Sequence, residues 1–353
     1  MDDVPNHVAA RDVEFADRIL NTMGVTDSGY RGVGLSDQLL WQVRALPQQR
    51  RRSLARSLAE RHQRLEKDAE FRTRTLLLAA VLAADLPEDP LSAERVKVLD
   101  DLGECHSFWY ADHFLVLVEA ELAAGRPVAP AAIAAFRRSG EEYNAPTTPL
   151  GRALENLTAP VLNVGEKWAE RALEHVGHGP DDPWRALFAH ALTAKSAKPS
   201  AKWDRTARQL VEPLGPGLVR EKVVSWLALV GAPRTFRVNP GFCEDRQFNE
   251  TFDPYNALAL RGLAWLSSLL PPHPDLAHAL GALVETSLEK VPGRGPRSTK
   301  VAHAGAFALG RMESESALDE LDRLAACVTH KATAKVIAAA LDAHATALDL
   351  RAQ

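Results

Sequence analysis

Residues 254–270 read PYNALALRGLAWLSSLL. The large apolar residues of this stretch recur at helical spacing, which predicts an α-helix with one broad apolar stripe. The stripe consists of Leu258, Leu260, Leu263, Trp265 and Leu266. Because so wide a stripe is more than one helix covers by itself, we expect this helix to pack against neighbours along the chain.

The same helical pattern continues to the end of the chain. Further helices are predicted over 274–289, 299–312, 314–328 and 331–349, joined by short turns. An adjacent pair takes about 40 residues, close to the HEAT and armadillo period. Val/Ile/Thr-rich alternating segments bounded by turns do not recur. The sequence therefore predicts an all-α fold, specifically an α-solenoid of HEAT/armadillo-like helix pairs, with a closed bundle as the alternative.

The first two thirds of the chain also read as helices, although less regularly. Helices are predicted over 47–65, 69–84, 92–102, 104–124, 130–139, 149–157, 160–176, 183–195, 200–213 and 215–230. A polar, turn-rich stretch around 139–146 suggests a boundary between an N-terminal helical region, 1–145, and a HEAT-like array, 146–353. One continuous solenoid remains the competing interpretation.

Composition limits the class of protein. The chain has 353 residues, 46% of them hydrophobic and 25% charged, which is ordinary for a globular protein. Its net charge of -4 argues against a dedicated nucleic-acid coat. The three dispersed cysteines, the acidic N-terminus without a secretory h-region and the absence of a long apolar run predict a cytoplasmic protein with no membrane segment.

Three strings in the second half resemble a known family. They are Lys198–Trp203, KPSAKW; Tyr255–Trp265, YNALALRGLAW; and Val291–Val301, VPGRGPRSTKV. Over roughly residues 195–345 the chain resembles the HEAT-like helical-repeat region of bacterial molybdate metabolism regulator-like proteins, a family of unknown function. The resemblance implies a helical array and no defined chemistry.

The turn at 290–300 is a candidate anion site. Ser298 or Thr299 is expected to cap the next helix, whose first N–H groups would then face the turn. Cations are disfavoured at this end of a helix dipole, yet Arg294, Arg297 and Lys300 gather there. A phosphate, a nucleic-acid backbone or a partner carboxylate would reconcile them. The alternative is a solvated turn with loose surface charges.

A second basic turn precedes Trp203. It contains Lys195, Lys198 and Lys202. Turns between the helices of a solenoid can align on one edge, so this turn, the 290–300 turn, Lys331 and Lys335 are a candidate stripe for an anionic partner. Unrelated solvated lysines are the equally weighted alternative.

The segment 231–253 interrupts the helical pattern. Loops of this length are often functional. Its four phenylalanines are expected to pack down, while Arg234, Arg237 and Arg246 are expected to reach outward toward a partner. A packed structural crossover is the alternative.

Catalytic motifs are incomplete. The run Asp100-Asp101-Leu102-Gly103-Glu104 suggests a magnesium motif of the terpene-cyclase kind, but no second magnesium motif accompanies it. His106 and His113, seven residues apart on one predicted helix, are a weak candidate pair of metal ligands. Neither pattern is strong enough to predict a metal site, a catalytic residue or a cofactor.

We therefore expect a non-catalytic interaction or scaffold protein that binds a macromolecular partner through the 231–253 loop and the basic turns at 195–202 and 290–300. The expected partner is a protein. The first alternative is a DNA-binding HEAT-like protein similar to the alkylpurine glycosylases, for which Trp203, Trp226 and Trp265 are available. The second is an all-α enzyme. The sequence leaves the oligomeric state open.

Overall fold

The structure is a computed structural model and describes residues 3–23, 37–65, 68–108, 111–142, 149–239 and 247–352. Within these residues, seventeen α-helices, two single-turn 3-10 helices and one pair of two-residue strands make up the regular structure. The all-α prediction is therefore confirmed. No helix in the described part of the chain is long and apolar enough to cross a bilayer.

Internal packing divides the chain into two compact units, residues 1–157 and 158–353. The boundary predicted from sequence at 145–146 falls outside the described residues. Each unit has its own apolar core.

The first unit contains eight helices. They are α1 Asp3–Thr22, α2 Asp37–Arg44, α3 Gln48–Arg64, α4 Ala69–Ala83, α5 Ser92–Gly103, α6 Ala111–Ala123, α7 Pro130–Glu142 and α8 Pro149–Asn156. Every residue from Thr75 to Ala83 is buried, because α4 packs against α1, α2, α3, α5 and α6. The predicted helices begin at residue 47, so α1 and α2 are additions to the sequence-based assignment.

A buried cluster of four charged side chains links α5 to α6 in the first unit. The guanidinium of Arg95 bonds Asp89 and donates from Nε to Glu121 at 2.6 Å. Arg126 donates to the same Glu121 at 2.8 Å. Burial acts to raise the pKa of Glu121, but the hydrogen bonds from Arg126 and Arg95 outweigh it and hold the pKa below its usual range. The four charges pair with one another, although Asp89 Oδ1 and Arg95 Nη1 have no hydrogen-bond partner, so the cluster has a structural role.

The second unit contains nine helices and the strand pair. They are α9 Lys167–Leu173, α10 Pro183–Ala191, α11 Ala201–Val211, α12 Pro216–Leu227, α13 Pro254–Ser267, α14 Pro274–Leu288, β1 Lys290–Val291, β2 Gly295–Pro296, α15 Thr299–Arg311, α16 Glu315–Cys327 and α17 Lys331–Ala352. Proline occupies the first turn of α10, α12, α13 and α14, where its missing N–H has no cost.

Most helices of the second unit pack in two rows. One row is α10, α13, α15 and α17, and the other is α9, α12, α14 and α16. The pairs α15–α17 and α14–α16 each run in the same direction. His303 of α15 lies beside His330 and Gly310 beside Ala340, while His278 of α14 lies beside Glu320 and Glu285 beside Arg323. Consecutive helices α14 and α15 form a hairpin between the rows. The helix α11 packs on α10, outside both rows.

The helix predicted over 104–124 is shorter than expected, since α6 begins at Ala111. The reason is a set of contacts from α7. Arg138 donates to the carbonyls of Cys105 and His106, and Ser139 accepts from the Phe108 N–H at 3.1 Å. These bonds hold residues 105–108 in an irregular conformation.

The helix predicted over 160–176 is also shorter, since α9 begins at Lys167. The backbone of Asn163 is bonded instead to Asn256, which accepts from its N–H at 2.8 Å and donates to its carbonyl at 2.9 Å. These long-range bonds take the place of the helical ones.

The strand pair was not predicted. The strands β1 and β2 form a tight hairpin in which Lys290 pairs with Pro296 and Val291 with Gly295. Gly293 and Gly295 have φ of 76° and 89°, a conformation that favours glycine. The hairpin places Ser298 at the start of α15.

Candidate functional site

A buried tryptophan fixes the start of α11. The ring of Trp203 stacks on His190 with 4.4 Å between centroids, and its Nε1 donates to Thr193 Oγ1 at 3.0 Å. Ser200 caps the helix by accepting from the Trp203 N–H at 3.1 Å. With Trp203 held inward, the opposite side of α11 faces solvent.

A buried arginine fixes the turn that precedes α11. The guanidinium of Arg261 lies 5.8 Å from the ring centroid of Trp265 and donates to the carbonyl of Ser196. Burial lowers the pKa of Arg261. A buried guanidinium needs acceptors for its five N–H groups, so the Ser196 carbonyl is tied to α13. The turn at 195–202 is thereby anchored.

Five exposed cationic side chains project from this turn and from α11. We call them the basic surface: Lys195, Lys198, Lys202, Arg205 and Arg208. The one acid among them, Asp204, is paired with Arg311 through N–O distances of 2.7 and 3.3 Å. Within the described residues, none of the five cationic groups makes an ion pair or hydrogen bond, and Lys198 only lies over the Phe307 ring at 5.7 Å. Five uncompensated charges thus gather on a chain of net charge -4.

A groove of about 750 Å³ runs beside α11. Arg205, Arg208 and Glu212 line it from the helix side. Residues 269–271, which follow α13, and Pro216 line it from beyond the helix. Two arginines of the basic surface therefore border an apolar depression, an arrangement that suits the binding of a ligand with both charged and apolar groups.

Sequence reasoning identified the three lysines of the basic surface but missed Arg205 and Arg208. The signal that would have found them is the spacing of Trp203, Ala207 and Val211, which lie four residues apart. These three residues are buried and mark the inward face of α11. Arg205 and Arg208 are three residues apart and neighbour each other outside that face.

The two arginines of the predicted anion site before α15 have partners. The guanidinium of Arg294 lies 4.2 Å from the ring centroid of Phe248. Arg297 forms an ion pair with Glu289 at 2.8 Å and donates to the Gly231 carbonyl at 3.1 Å. Arg297 therefore ties the 231–253 segment to the hairpin that precedes α15.

The other residues of this predicted site form the start of α15. Ser298 is the N-cap, as the sequence predicts, and its hydroxyl accepts from the Val301 N–H at 3.4 Å. Thr299 is the first helical residue, and Lys300 is exposed. The Ser298 hydroxyl already satisfies one of the N–H groups that an anion would use.

This difference between Arg297 and Lys300 leads to a prediction on stability. Replacing Arg297 with Ala removes a half-buried ion pair and a bond to a backbone carbonyl, so we expect the free energy of unfolding to fall by about 1–2 kcal/mol. Lys300→Ala, the matched control on the same turn, is expected to change it by less than about 0.5 kcal/mol. Urea unfolding of both variants is the measurement. Equal losses of stability in the two variants would contradict a stabilising role for the bonds of Arg297.

The described parts of the 231–253 segment pack against the rest of the second unit. Val238 and Phe248 are buried, and the Asn249 side chain bonds both the N–H and the carbonyl of Val238 at 2.9 Å. The arginines predicted to reach outward differ in environment: the side-chain nitrogens of Arg234 are buried, Arg237 is exposed and Arg246 lies outside the described residues.

A buried polar network lies beneath this segment. Asn163 donates to Asp253 at 3.0 Å, and Asn256 donates to Glu166 at 2.8 Å. Glu166 also accepts from the Asp253 N–H at 3.0 Å. Burial raises the pKa of Glu166; the charge of Arg234 opposes this rise and that of Asp253 adds to it. These carboxylates bond to neighbouring groups of the chain and join three segments, which is a structural role.

The start of α17 contacts the same helix, α15, as the basic turn. The rings of His303 and His330 are 6.4 Å apart, and Lys331 and Lys335 are exposed at successive turns of α17. The helix α15 thus contacts Lys198 through Phe307 and the beginning of α17 through His303. This is where the structure places the two lysines predicted to join the stripe.

The described residues include two cysteines and the candidate pair of metal ligands, His106 and His113. Burial raises the pKa of the Cys105 and Cys327 thiols, which disfavours the thiolate. No group of three or more His, Cys, Asp or Glu side chains there is placed to share a metal ion. His106 precedes α6, so the helix face predicted to carry both His106 and His113 does not exist.

Comparison with protein-family models, with curated proteins and with solved structures found no match to this chain.

Proposed function

We propose that this protein is a non-catalytic helical-repeat interaction protein that binds an acidic segment of a partner protein through its basic surface. The observation that carries the proposal is the group of five exposed cations on the 195–202 turn and α11, none of which forms an ion pair, while Asp204 between them is already paired with Arg311. Unpaired charges of one sign on an anchored element attract a partner of opposite charge and speed its association.

The proposed architecture is an α-solenoid of HEAT/armadillo-like pairs in the second unit. The two rows of helices, in which the pairs α15–α17 and α14–α16 run in the same direction, support it. In such an array each helix pair packs only on its neighbours and leaves an extended surface for partners. The resemblance of residues 195–345 to the repeat region of molybdate metabolism regulator-like proteins belongs to the same proposal, and that stretch includes the basic surface.

Two observations favour a protein partner over nucleic acid. First, Trp203, Trp226 and Trp265 are 8%, 0% and 1% exposed, so none of the three offers a face on which a base stacks. Second, Glu212 lines the groove beside the basic surface and would repel a continuous phosphate backbone. A protein segment can place its carboxylates only where the cations are.

We place the protein in the cytoplasm, because Cys105 and Cys327 are free thiols distant in sequence, and such thiols persist in a reducing compartment.

The test is an affinity pull-down from a lysate of the native host, carried out with and without nuclease treatment. The bait variant replaces all five cations of the basic surface with Gln. The matched control removes the same charge from exposed side chains elsewhere: Arg18, Lys97, Arg152, Lys167 and Lys290. We expect specific proteins to be retained by the wild type and the control, lost from the variant, and released by salt, which screens exposed charges.

Two results would overturn the proposal. Equal retention on the variant would show that the basic surface is not used. Retention of nucleic acid alone would instead favour the DNA-binding alternative. Circular dichroism of each bait shows whether the helices remain formed.

A further inference from the structure

The groove beside α11 has a defined chemistry. Its lining combines Arg205 and Arg208, the acid Glu212 and apolar side chains at 269–271 and Pro216. Leu269 is half-buried and Leu270 is 4% exposed, so the apolar part belongs to the folded core and is fixed in place.

Polar recognition in the groove depends on side chains. Pro216 and Pro271 have no backbone N–H to donate. After its first turn, the backbone of α11 uses its own N–H groups within the helix. Gln209 also lines the groove, but Arg205 and Arg208 are its cationic side chains, each with a planar fork of donors that matches a carboxylate in a two-bond geometry.

The spacing of the two arginines fits an extended chain. Arg205 and Arg208 are three residues apart, a rise of about 4.5 Å along a helix. Alternate residues of an extended peptide project on the same side about 6.6 Å apart, a distance that two long arginine side chains can span. Two carboxylates separated by one residue can therefore meet both arginines.

The remaining lining sets the order of the ligand's groups. Glu212 lies four residues beyond Arg208 and would repel a third carboxylate at that end. Leu269 and Leu270 can instead receive an apolar side chain, which gains free energy by leaving water. The α11 side of the groove is thus charged, and the side formed by residues 269–271 and Pro216 is apolar.

We propose that the groove binds an extended peptide segment of a partner protein that carries two acidic residues separated by one residue, next to an apolar anchor. This proposal rests on the proposed function and specifies the partner for the basic surface. Arg205 and Arg208 hold the two carboxylates, Leu269 and Leu270 hold the anchor, and the lysines of the 195–202 turn attract further acidic residues.

The test is selection of a displayed library of random twelve-residue peptides on the immobilised full chain. We expect the selected peptides to share two acidic residues separated by one residue, with a large apolar residue next to them. A labelled copy of the most enriched peptide is then titrated against variants by fluorescence anisotropy. No enrichment of this pattern would overturn the proposal.

The variants separate charge from geometry. For R205Q/R208Q we expect affinity for the selected peptide to fall at least about tenfold, the factor that corresponds to 1.4 kcal/mol. R205K/R208K keeps the charge but loses the fork and is expected to recover only part of the affinity. The control K97Q/R152Q should bind as the wild type does. Unchanged affinity of R205Q/R208Q would place the peptide elsewhere and overturn the proposal.

Failure of this proposal can be told from failure of the proposed function. If the five-cation variant loses its cellular partners while the library shows no acidic–apolar pattern, the basic surface binds a partner without the groove. If the pattern is selected and depends on Arg205 and Arg208 although the pull-down recovers nothing, the groove is a peptide site whose partner was absent from the lysate.

Discussion

Replacing Gly262 with Ala is expected to lower the free energy of unfolding of the second unit by about 3 kcal/mol, at the upper end of the usual cost of overpacking. A β-carbon built at this position lies 2.3 Å from the Ala191 carbonyl oxygen and 2.4 Å from the Ala191 Cα. These are backbone atoms that cannot rotate away, so α10 and α13 would have to move apart. Urea unfolding monitored by circular dichroism measures the change.

Gly217 provides the matched control for this substitution. It lies in the first turn of α12, and a β-carbon there meets no atom within 4 Å. Gly217→Ala is expected to leave stability unchanged or raise it by up to about 1 kcal/mol, because alanine favours the helix and restricts the unfolded chain. Equal stability of the two alanine variants would contradict the close contact between α10 and α13 at Gly262.

Replacing Asn256 with Ala is expected to cost about 3 kcal/mol, the sum of lost hydrogen bonds and the desolvation of the groups left without partners. The Asn256 side chain accepts from the Asn163 N–H and donates to the Asn163 carbonyl and to Glu166. All three partners are buried, so water cannot replace the amide. A buried carboxylate that loses a donor is the most costly of these changes.

Asn249→Ala is the control for this second prediction. Asn249 also bonds a backbone N–H and carbonyl, those of Val238, but it is half-buried and water can reach the vacated groups. We expect a loss of about 1 kcal/mol. A loss for Asn256→Ala no greater than that for Asn249→Ala would mean that the buried network contributes little to stability.

Local signals in the sequence predicted most helices of the second unit. Helix starts such as Pro254, Pro274 and Thr299 follow from the residues themselves, because proline and a preceding cap favour the first helical turn. The helical period of the apolar residues then shows which face of each helix is buried. The helix α1 has the same signal, because Ala16, Ile19 and Leu20 are buried at helical spacing.

The errors arise where a long-range bond replaces a local one. The residues before α9 are held by Asn256, 93 positions from Asn163, and those before α6 are held by Arg138. Neither contact leaves a periodic trace in the sequence. Helical propensity alone therefore extended both helices too far toward their N-termini.

The candidate site was predictable only in part, because contacts between residues distant in sequence decide which of its charges are unpaired. Lys195, Lys198 and Lys202 stand out as a basic turn, whereas Arg205 and Arg208 read as the ordinary charged face of a helix with Asp204 beside them. Only packing shows that Asp204 belongs to Arg311, 107 residues away, which leaves the two arginines unpaired. The groove also combines residues near 205 with residues near 270, a proximity that no local pattern carries.

The burial of the tryptophans gives the second unit an optical signal of its own. Five of the seven tryptophans, Trp168, Trp184, Trp203, Trp226 and Trp265, are buried there, and three of their indole N–H groups, those of Trp168, Trp226 and Trp265, have no hydrogen-bond partner. Indoles in such dry surroundings emit at short wavelength. In the first unit, Trp41 is 72% exposed and already emits as in water, and Trp109 lies outside the described residues. A red shift in emission on heating therefore reports chiefly on the unfolding of the second unit.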